Sequence, residues 1–164
     1  MSSEPISYHL ETLGPGMALI ALQGDRIVTA SLGEDPAILI KELRAQYPGY
    51  ELLHQPNAPS LLSDLLAGSA KFKMAPQGTD FQRQVWEALR RIPRGQTRTY
   101  GEIAASLGKP GAARAVGQAC GANRIALLIP CHRAVAAGGG MAGFRWGLAW
   151  KTWILNQEAR LPAA

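Results

Sequence analysis

Cysteine and long apolar runs are scarce in this sequence, and each scarcity excludes a class of protein. Cysteine occurs twice among the 164 residues, at Cys120 and Cys131, which is too few for a disulfide-rich scaffold. A disulfide between the two is conceivable, but a cytosolic setting would keep both thiols reduced. No apolar run approaches the roughly 18 residues that a membrane-spanning helix requires. We therefore expect a soluble protein without a membrane partner.

The first ten residues lack the basic segment and the following apolar segment of a secretory signal. A cytoplasmic protein is therefore the expectation. The sequence also has no heptad repeat, so a monomer is expected.

Histidine is scarce as well, and its three copies are scattered at His9, His54 and His132. Together with the two cysteines they do not form the spacing of a zinc site. The sequence therefore predicts no metal, and nothing in it calls for a cofactor. We expect His9 and His54 to lie at the surface.

Acidic residues are few in the second half of the chain, which leaves the charge unevenly distributed. From Thr79 onward there are twelve Lys and Arg and four Asp and Glu, a net charge of +8. The residues before Thr79 have five basic and eight acidic side chains, a net charge of −3. A basic half favours contact with a polyanion such as nucleic acid. A basic surface without a partner is the alternative.

The first half has the pattern of a small α+β scaffold. Apolar segments bounded by glycine turns predict three strands, over residues 6–12, 17–22 and 26–32. Pro36 suits the first turn of a helix ending near Gln46, with an apolar side made of Ile38, Leu39, Ile40 and Leu43. A short helix over 61–66 and a connector over 69–78 are expected to follow.

Three helices are predicted in the second half. Thr79 with Gln82 and Thr99 with Glu102 have the spacing of capping boxes. The first helix is expected to end before Pro93 and the second near Gly108, because proline and glycine stop helices. A third runs from 112 to about 122. Two short helices joined by a Gly/Pro turn are typical of a helix-turn-helix.

One face of the third helix has almost no side chains, because Ala113, Gly117 and Gly121 recur every four residues. Such a face allows close approach to the backbone, either by nucleic acid or by another helix. Arg114, at the positive N-terminal end of the helix, favours nucleic acid. The opposite row is expected to face the core and comprises Ala112, Val116 and Cys120.

An apolar run over 125–129 leads to Cys131 and predicts a buried strand or extended segment. Pro130 fixes the backbone before the cysteine. His132 and Arg133 add positive potential, which should favour the thiolate. The alternative is an inert core cysteine. On an extended segment Cys131 and His132 would point to opposite sides, so they would need a bridging water or a turn to cooperate.

The tetrad Pro130-Cys131-His132-Arg133, preceded by Asn123 and by the segment Ala-Arg-Ala-Val at 113–116, resembles the O6-alkylguanine-DNA alkyltransferase family. The similarity extends from about Thr79 to Glu158, while the first 78 residues are similar only loosely. The resemblance implies an α+β protein with a ribonuclease-H-like α/β subdomain over 1–78. A mostly helical domain with the helix-turn-helix would occupy 79–164.

The resemblance also implies roles for five residues at the reaction centre. Cys131 would be the nucleophile, His132 its base through a water, and Glu158 the group that orients His132. Tyr100 would donate a proton to the departing guanine, and Asn123 would brace the turn before the active-site segment.

The DNA contacts implied by the resemblance lie around these residues. Arg114 would fill the gap left by a flipped nucleotide. Contacts to DNA are also expected at Gln82, Gly101 and Lys109. Ala134 stands where the family often has a larger aliphatic residue, and Trp146 would narrow the pocket against bulky adducts.

The expected function is irreversible, single-turnover transfer of an alkyl group from O6-alkylguanine in double-stranded DNA to Cys131. A thioether is stable, and the motif has no second nucleophile to cleave it. O4-alkylthymine is an open second substrate. The alternatives are a protein that recognises alkylated DNA without transfer, a transcriptional regulator and a Cys-His hydrolase.

Overall fold

An antiparallel meander of three strands forms the first layer of the protein. The computed structural model describes residues 3–61, 66, 73–139 and 143–160. Strands β1 (Ile6–Leu13), β2 (Gly16–Gln23) and β3 (Arg26–Gly33) confirm the three predicted strands. The two tight turns between them contain Gly14 and Gly24, both at positive φ, which glycine adopts without strain.

Helix α1 (Pro36–Gln46) follows, as predicted, and returns the chain across the sheet. Its N-cap Asp35 accepts a hydrogen bond from the Ala37 N–H at 2.9 Å. Leu39 and Leu43 are buried, but Ile38 is 53% exposed. The predicted apolar side was therefore too wide, because the helix touches the sheet along a narrow stripe.

Two short strands complete the sheet. Strand β4 (Leu52–His54) pairs in parallel with β1, and β5 (Lys73–Met74) pairs in parallel with β3. The strand order is β4-β1-β2-β3-β5. The helix predicted over 61–66 and the start of the connector fall largely outside the described residues.

The second half is built mainly from helices α2 (Asp80–Arg90), α3 (Tyr100–Ser106), α4 (Ala113–Gly121) and α5 (Leu148–Arg160). Both predicted capping boxes form, since Thr79 and Thr99 each accept the N3 backbone N–H. A two-stranded parallel pair, β6 (Arg98–Thr99) with β7 (Ala134–Val135), joins the start of α3 to the segment after Cys131. The α+β class is confirmed. No helix among the described residues combines the length and apolar character needed to cross a membrane.

The two halves share one apolar core. Residues of the sheet and of the helices belong to the same buried cluster, including Ile20, Ile27, Ala30, Leu32, Val85, Leu89, Val116, Ile129 and Ile154. Trp86 and Trp150 are core residues, as expected, and Trp153 is partly buried against the cluster. The sheet therefore supports the helices directly.

The prediction of a strand over 125–129 is wrong. Ile125 forms a single bridge to β3, in which the Ala126 N–H donates to the Ala30 carbonyl at 2.8 Å. Residues 126–128 then turn, with Leu127 at φ 73. Cys131–Arg133 form one turn of 3-10 helix. The apolar run is buried as expected, but local hydrogen bonds replace a strand ladder.

The expectation that His9 lies at the surface is also wrong. His9 is buried within β1, and its Nε2 lies 2.9 Å from the Glu11 carboxylate. The carboxylate provides the polar partner that a buried imidazole requires. His54 is exposed, as expected, and stacks on Tyr8.

Candidate active site

The 3-10 turn places the Cys131 thiol at the wall of a pocket of about 360 Å³. The pocket lies between α3, α4 and the segment before α5, and its lining consists of Tyr100, Gly117, Cys120, Gly121, Cys131, Gly143, Phe144 and Arg145. Cys131 is 4% exposed, so the thiol is largely enclosed at the wall of this pocket. The described ranges contain no group of three or more His, Cys, Asp or Glu that could hold a metal ion.

Asn123 fixes the position of the thiol. Its side-chain nitrogen donates to the Ile129 carbonyl at 3.0 Å, to the Ile125 carbonyl at 3.3 Å and to the Cys131 sulfur at 3.3 Å. Its side-chain oxygen accepts the Ile125 N–H at 2.9 Å. A single buried amide therefore closes the turn and points a donor at the sulfur. The structure thus places the residue predicted to brace the turn beside the thiol as well.

The Glu158 carboxylate contacts two side chains of the same 3-10 turn, His132 and Arg133. The His132 Nε2 lies 2.5 Å from one carboxylate oxygen. Arg133 donates from Nε to both oxygens, pairs through a terminal nitrogen with one of them, and also donates to the Ile92 carbonyl at 2.8 Å. The predicted His132–Glu158 pair is therefore present in the structure. The role of Arg133 as a clamp on Glu158 was missed, because it depends on the packing of α5.

The protonation states at this cluster follow from burial and from the ion pair. Burial alone would raise the pKa of Glu158, but hydrogen bonds from His132 and Arg133 outweigh it and lower that pKa. Burial lowers the pKa of His132 despite the carboxylate. At neutral pH the imidazole is neutral and donates from Nε2 to an ionised carboxylate. Its Nδ1 is then an acceptor, and this buried atom has no hydrogen-bond partner among the described residues.

The thiol itself is less acidic than the sequence predicted. Burial raises the pKa of Cys131 to about 11, although the Asn123 hydrogen bond and the charges of Lys151 and Arg145 act in the opposite direction. The expectation that His132 and Arg133 would favour the thiolate is wrong, because both side chains are engaged by Glu158. The thiol therefore needs a base to become a nucleophile.

Tyr100, the first residue of α3, lines the same pocket as the thiol. It is partly buried, and burial together with the neighbouring Cys120 and Cys131 raises its pKa above the usual value. Its hydroxyl therefore stays protonated at neutral pH and can donate a proton or a hydrogen bond into the pocket.

A fully buried lysine, Lys151, was missed in the sequence. Its side chain has 0% exposure and its ammonium donates to the Ala134 carbonyl at 2.7 Å. Lys151 precedes Glu158 by seven residues, which is two helical turns. That spacing on a helix already expected to present Glu158 was a signal that could have identified it.

The residues expected to contact DNA lie mostly at the surface. Arg114 and Lys109 are exposed, and the Lys109 ammonium sits 5.0 Å from the Phe81 ring centre. Gly101 is in the first turn of α3. Gln82 is partly exposed, but its side-chain oxygen accepts the Thr79 N–H in the capping box. The side chain of Gln82 therefore already has a structural role.

The bare face of α4 is open. A Cβ built on Gly117 or Gly121 would meet no described atom within 4 Å. The alternative of a tight helix–helix contact at these glycines is therefore wrong. Arg145 reaches the end of this helix and donates to the Gly121 carbonyl at 2.9 Å.

Two expected pocket residues lie elsewhere. Ala134 is fully buried in β7 and does not line the pocket around Cys131. Trp146 lines a neighbouring cleft of about 800 Å³, and Phe144 and Arg145 line the pocket in its place. The placement of both residues as pocket walls is therefore wrong. Trp146 contacts two residues that line the pocket: its ring centre is 5.3 Å from that of Phe144 and 5.9 Å from the Arg145 guanidinium carbon.

Comparison with known proteins gives consistent matches. Residues 80–160 match the family model of the 6-O-methylguanine DNA methyltransferase, DNA binding domain. The chain is 45% identical over 123 residues to a methylated-DNA–protein-cysteine methyltransferase of Salmonella typhimurium, covering 71% of this chain and 72% of that protein. It is 38% identical over 161 residues to the bifunctional transcriptional activator/DNA repair enzyme Ada of Escherichia coli, of whose length it spans about half, 46%. A crystal structure of Mycobacterium tuberculosis OGT in complex with DNA superimposes with a TM-score of 0.78, 35% identity and 95% coverage of both chains.

Proposed function

This chain belongs to the 6-O-methylguanine DNA methyltransferase family, and from that premise we propose that Cys131 is the residue that accepts the alkyl group. The reaction is a direct reversal of DNA damage, in which a methyl group passes from methylated DNA to a cysteine of the protein. The single observation that carries the assignment is the thiol itself. It opens onto the pocket, is held by Asn123, and is followed in the same turn by the His132–Glu158 pair.

His132 is the base that activates the thiol. Its Nδ1 has no hydrogen-bond partner among the described residues and can accept a proton, and a bridging water would carry the proton from Cys131 to it. Glu158 holds the ring orientation and stabilises the imidazolium that forms, as a carboxylate does for a catalytic histidine. Because the pKa of the resting thiol is about 11, this proton transfer is required at neutral pH.

The alkyl transfer is an in-line displacement. The Cys131 sulfur forms a bond to the alkyl carbon while the bond between that carbon and the guanine O6 breaks. Guanine leaves as an anion unless it is protonated, and the Tyr100 hydroxyl supplies the proton. The product is a thioether, which has no route back to the thiol in this site. Each molecule therefore reacts once.

The alkylated guanine must leave the double helix to reach the thiol. An O6-alkyl carbon is inaccessible inside a stacked duplex, so the nucleotide is flipped into the pocket at a cost of a few kcal/mol. Arg114, exposed in the first turn of α4, fills the gap and offsets part of that cost. The open face of α4 at Gly117 allows the DNA backbone to approach closely.

Helices α3 and α4 act as the helix-turn-helix. They pack together and are joined by the turn over 107–112. Gly101 and Lys109 contact the DNA backbone. Gln82 also contacts it, while its side-chain oxygen keeps the capping hydrogen bond from the Thr79 N–H. The substrate is double-stranded DNA carrying O6-alkylguanine, and O4-alkylthymine is a second substrate to be tested.

The sheet forms a ribonuclease-H-like subdomain ending near residue 78. The support is its topology, since the meander β1-β2-β3 continues through α1 into a strand parallel to β1. The protein acts as a monomer in the cytoplasm. Ile38 and Leu148 are the exposed large apolar side chains of the described surface, which is little for a stable interface.

Intact-mass spectrometry with an excess of O6-methylguanine duplex tests the proposal. The expected result is a mass gain of one methylene, mapped to Cys131 and ending at one equivalent. A Cys131→Ser variant should still bind the duplex and gain no mass. Cys120→Ser is the matched control, because Cys120 lines the same pocket, and it should react like the native protein.

Two outcomes would contradict the proposal. Binding without any mass change in the native protein would indicate a protein that recognises alkylated DNA and does not repair it. A methyl group mapped to Cys120 would show that the wrong thiol had been chosen.

A further inference from the structure

Two thiols line the pocket, and the proposed function uses only one of them. Cys131 stands in the 3-10 turn and Cys120 in the last turn of α4, and both are free and buried. Asn123 connects the two segments. Its backbone N–H donates to the Cys120 carbonyl at 3.2 Å, and its side chain donates to the Cys131 sulfur at 3.3 Å. The same residue therefore positions both cysteines at one pocket.

The remaining walls of the pocket offer little to a soft electrophile. Among the described residues of the lining, the glycines and Phe144 have no nucleophilic side-chain atom. The Arg145 guanidinium is a cation without an acceptor site. The Tyr100 hydroxyl is a harder nucleophile than sulfur, and burial together with the two cysteines raises its pKa. The polarisable Cys120 sulfur is thus the soft nucleophile that faces an alkyl group on Cys131.

The reactivity of Cys120 depends on the state of Cys131. Burial raises the pKa of Cys120 to about 12, and the negative charge of an ionised Cys131 acts in the same direction. Alkylation converts Cys131 into an uncharged thioether, so this repulsion disappears. A sulfonium ion at the same sulfur would replace the repulsion by an attraction, which favours the Cys120 thiolate. Cys120 therefore becomes more reactive only after Cys131 has been alkylated.

We propose that Cys120 is a second acceptor, which captures two-carbon adducts that still have a leaving group after Cys131 has taken them from guanine O6. This inference rests on the proposed function, because Cys131 must first accept the adduct. The substrate class is O6-(2-haloethyl)guanine, whose second carbon bears a halogen. A methyl group has no second carbon, so repair of methylguanine ends at Cys131.

The capture consists of successive displacements. Cys131 first forms a bond to the carbon attached to O6, as in methyl transfer, which leaves a 2-haloethyl thioether in the pocket. The lone pair of this sulfur then displaces halide from the second carbon and closes a three-membered sulfonium ring. The Cys120 sulfur attacks a ring carbon, and the electron pair of the broken bond returns to the Cys131 sulfur. The Cys120 proton passes to water. A CH2–CH2 bridge then joins the two sulfurs, and one hydrogen halide has been released.

The capture prevents a covalent link between the protein and DNA. A 2-haloethyl thioether is itself an electrophile, and the bound duplex presents nucleophilic bases beside it. A thiol in the same pocket competes with these bases at a high effective concentration. The bridged product is a stable bis-thioether, so the electrophile is consumed within the protein.

Treatment of the native protein with 1,2-dibromoethane at about pH 8 tests the capture, because this reagent delivers the haloethyl group to Cys131 without DNA. Intact-mass spectrometry should show a gain of C2H2, which corresponds to the bridge. Trypsin cleaves after Arg124, between the two cysteines, so a bridge joins the peptides 115–124 and 125–133. Bromoethane has a single leaving group and is the matched reagent. It should add only an ethyl group to Cys131.

The variant Cys120→Ser distinguishes capture from hydrolysis. Water should open the sulfonium ring in this variant, so that Cys131 acquires a 2-hydroxyethyl group and the two peptides stay separate. With an undamaged duplex present, Cys120→Ser should form roughly tenfold more protein–DNA cross-link than the native protein, since the competing thiol is absent. Denaturing gel electrophoresis measures the cross-link.

A 2-hydroxyethyl group on Cys131 of the native protein, without joined peptides, would overturn the capture. A bridge mapped to Tyr100, or an unmodified Cys131, would overturn it as well. None of these results changes the methyl-transfer assay of the native protein, so a failure of the capture is distinct from a failure of the proposed function.

Discussion

At the scale of single residues, Glu158 and His132 give the protein a dependence on acid. The pKa values of both groups are lowered in the folded protein, from ordinary values of 4.5 and 6.5. At a given acidic pH the unfolded chain therefore binds more protons at these two groups than the folded protein does. Their stabilising contributions are present above those ordinary values and are lost as the pH falls through the folded pKa values. The free energy of unfolding should decline as the pH is lowered from about 7.

The variant His132→Asn tests this dependence. It should remove the part of the decline that lies between about pH 7 and 5, because Glu158 keeps its ion pair with Arg133. Methyl transfer should fall by about 10²-fold or more, the usual effect of losing a general base. Urea denaturation at several pH values and a transfer assay measure the two effects. His54→Asn removes an exposed histidine, and a similar loss of slope in that control would refute the explanation.

The residues of the site differ in how far the sequence could predict them. Cys131, His132 and Glu158 were identified from the motif, and the structure brings them together. The acidity of the thiol could not be predicted, because it depends on burial by elements far apart in the sequence. Lys151 was missed for the same reason, since an isolated lysine in a helix is ordinarily a surface residue. Trp146 was misplaced because its cleft forms only where α1 approaches the segment before α5.

At the scale of elements, the open face of α4 predicts the effect of replacing Gly117 by alanine. A methyl group added there meets no described atom in the free protein, and glycine inside a helix costs about 0.5–1 kcal/mol relative to alanine. Gly117→Ala should therefore raise the free energy of unfolding by about that amount. The same methyl group would stand between the helix and the DNA, so transfer from an O6-methylguanine duplex should slow.

A reaction without DNA separates the two effects. Alkylation of Cys131 by iodoacetamide should remain close to the native rate in Gly117→Ala, because the reagent is small and the pocket stays open. Loss of both reactions in parallel would indicate that the methyl group distorts the pocket, and it would refute an effect on DNA approach.

Elements that depend on neighbours in the sequence were predicted well, and those that depend on distant partners were not. Both capping boxes and the three-stranded meander were predicted because each needs only residues within a few positions. The apolar composition of the run over 125–129 predicts a buried strand or extended segment. Its actual course is decided by two features outside the run: the Asn123 amide and the edge of β3 at Ala30.

At the scale of the whole molecule, the uneven charge predicts salt-dependent DNA binding that is confined to one half. The logarithm of the binding constant should fall linearly with the logarithm of salt concentration. Lys109→Ala should reduce that slope by about one, the effect of losing one phosphate contact. Lys41→Ala, on the exposed side of α1 in the acidic half, should change neither slope nor affinity. Fluorescence anisotropy with an undamaged duplex at several salt concentrations measures the slope and the affinity. Equal effects of the two variants would refute the placement of DNA binding in the basic half.

The bridge between Ala30 and Ile125 has a consequence for protein engineering. It joins the central region of β3 to the residues that lead into the active-site turn, within a core to which both halves contribute. A chimera that combined another sheet with this helical half would therefore have to preserve the matching edge, or the turn that aims the sulfur would lose its anchor. The sheet contributes no reacting group, yet it anchors the segment that carries the reactive cysteine. The sheet and the helical half are therefore not interchangeable modules.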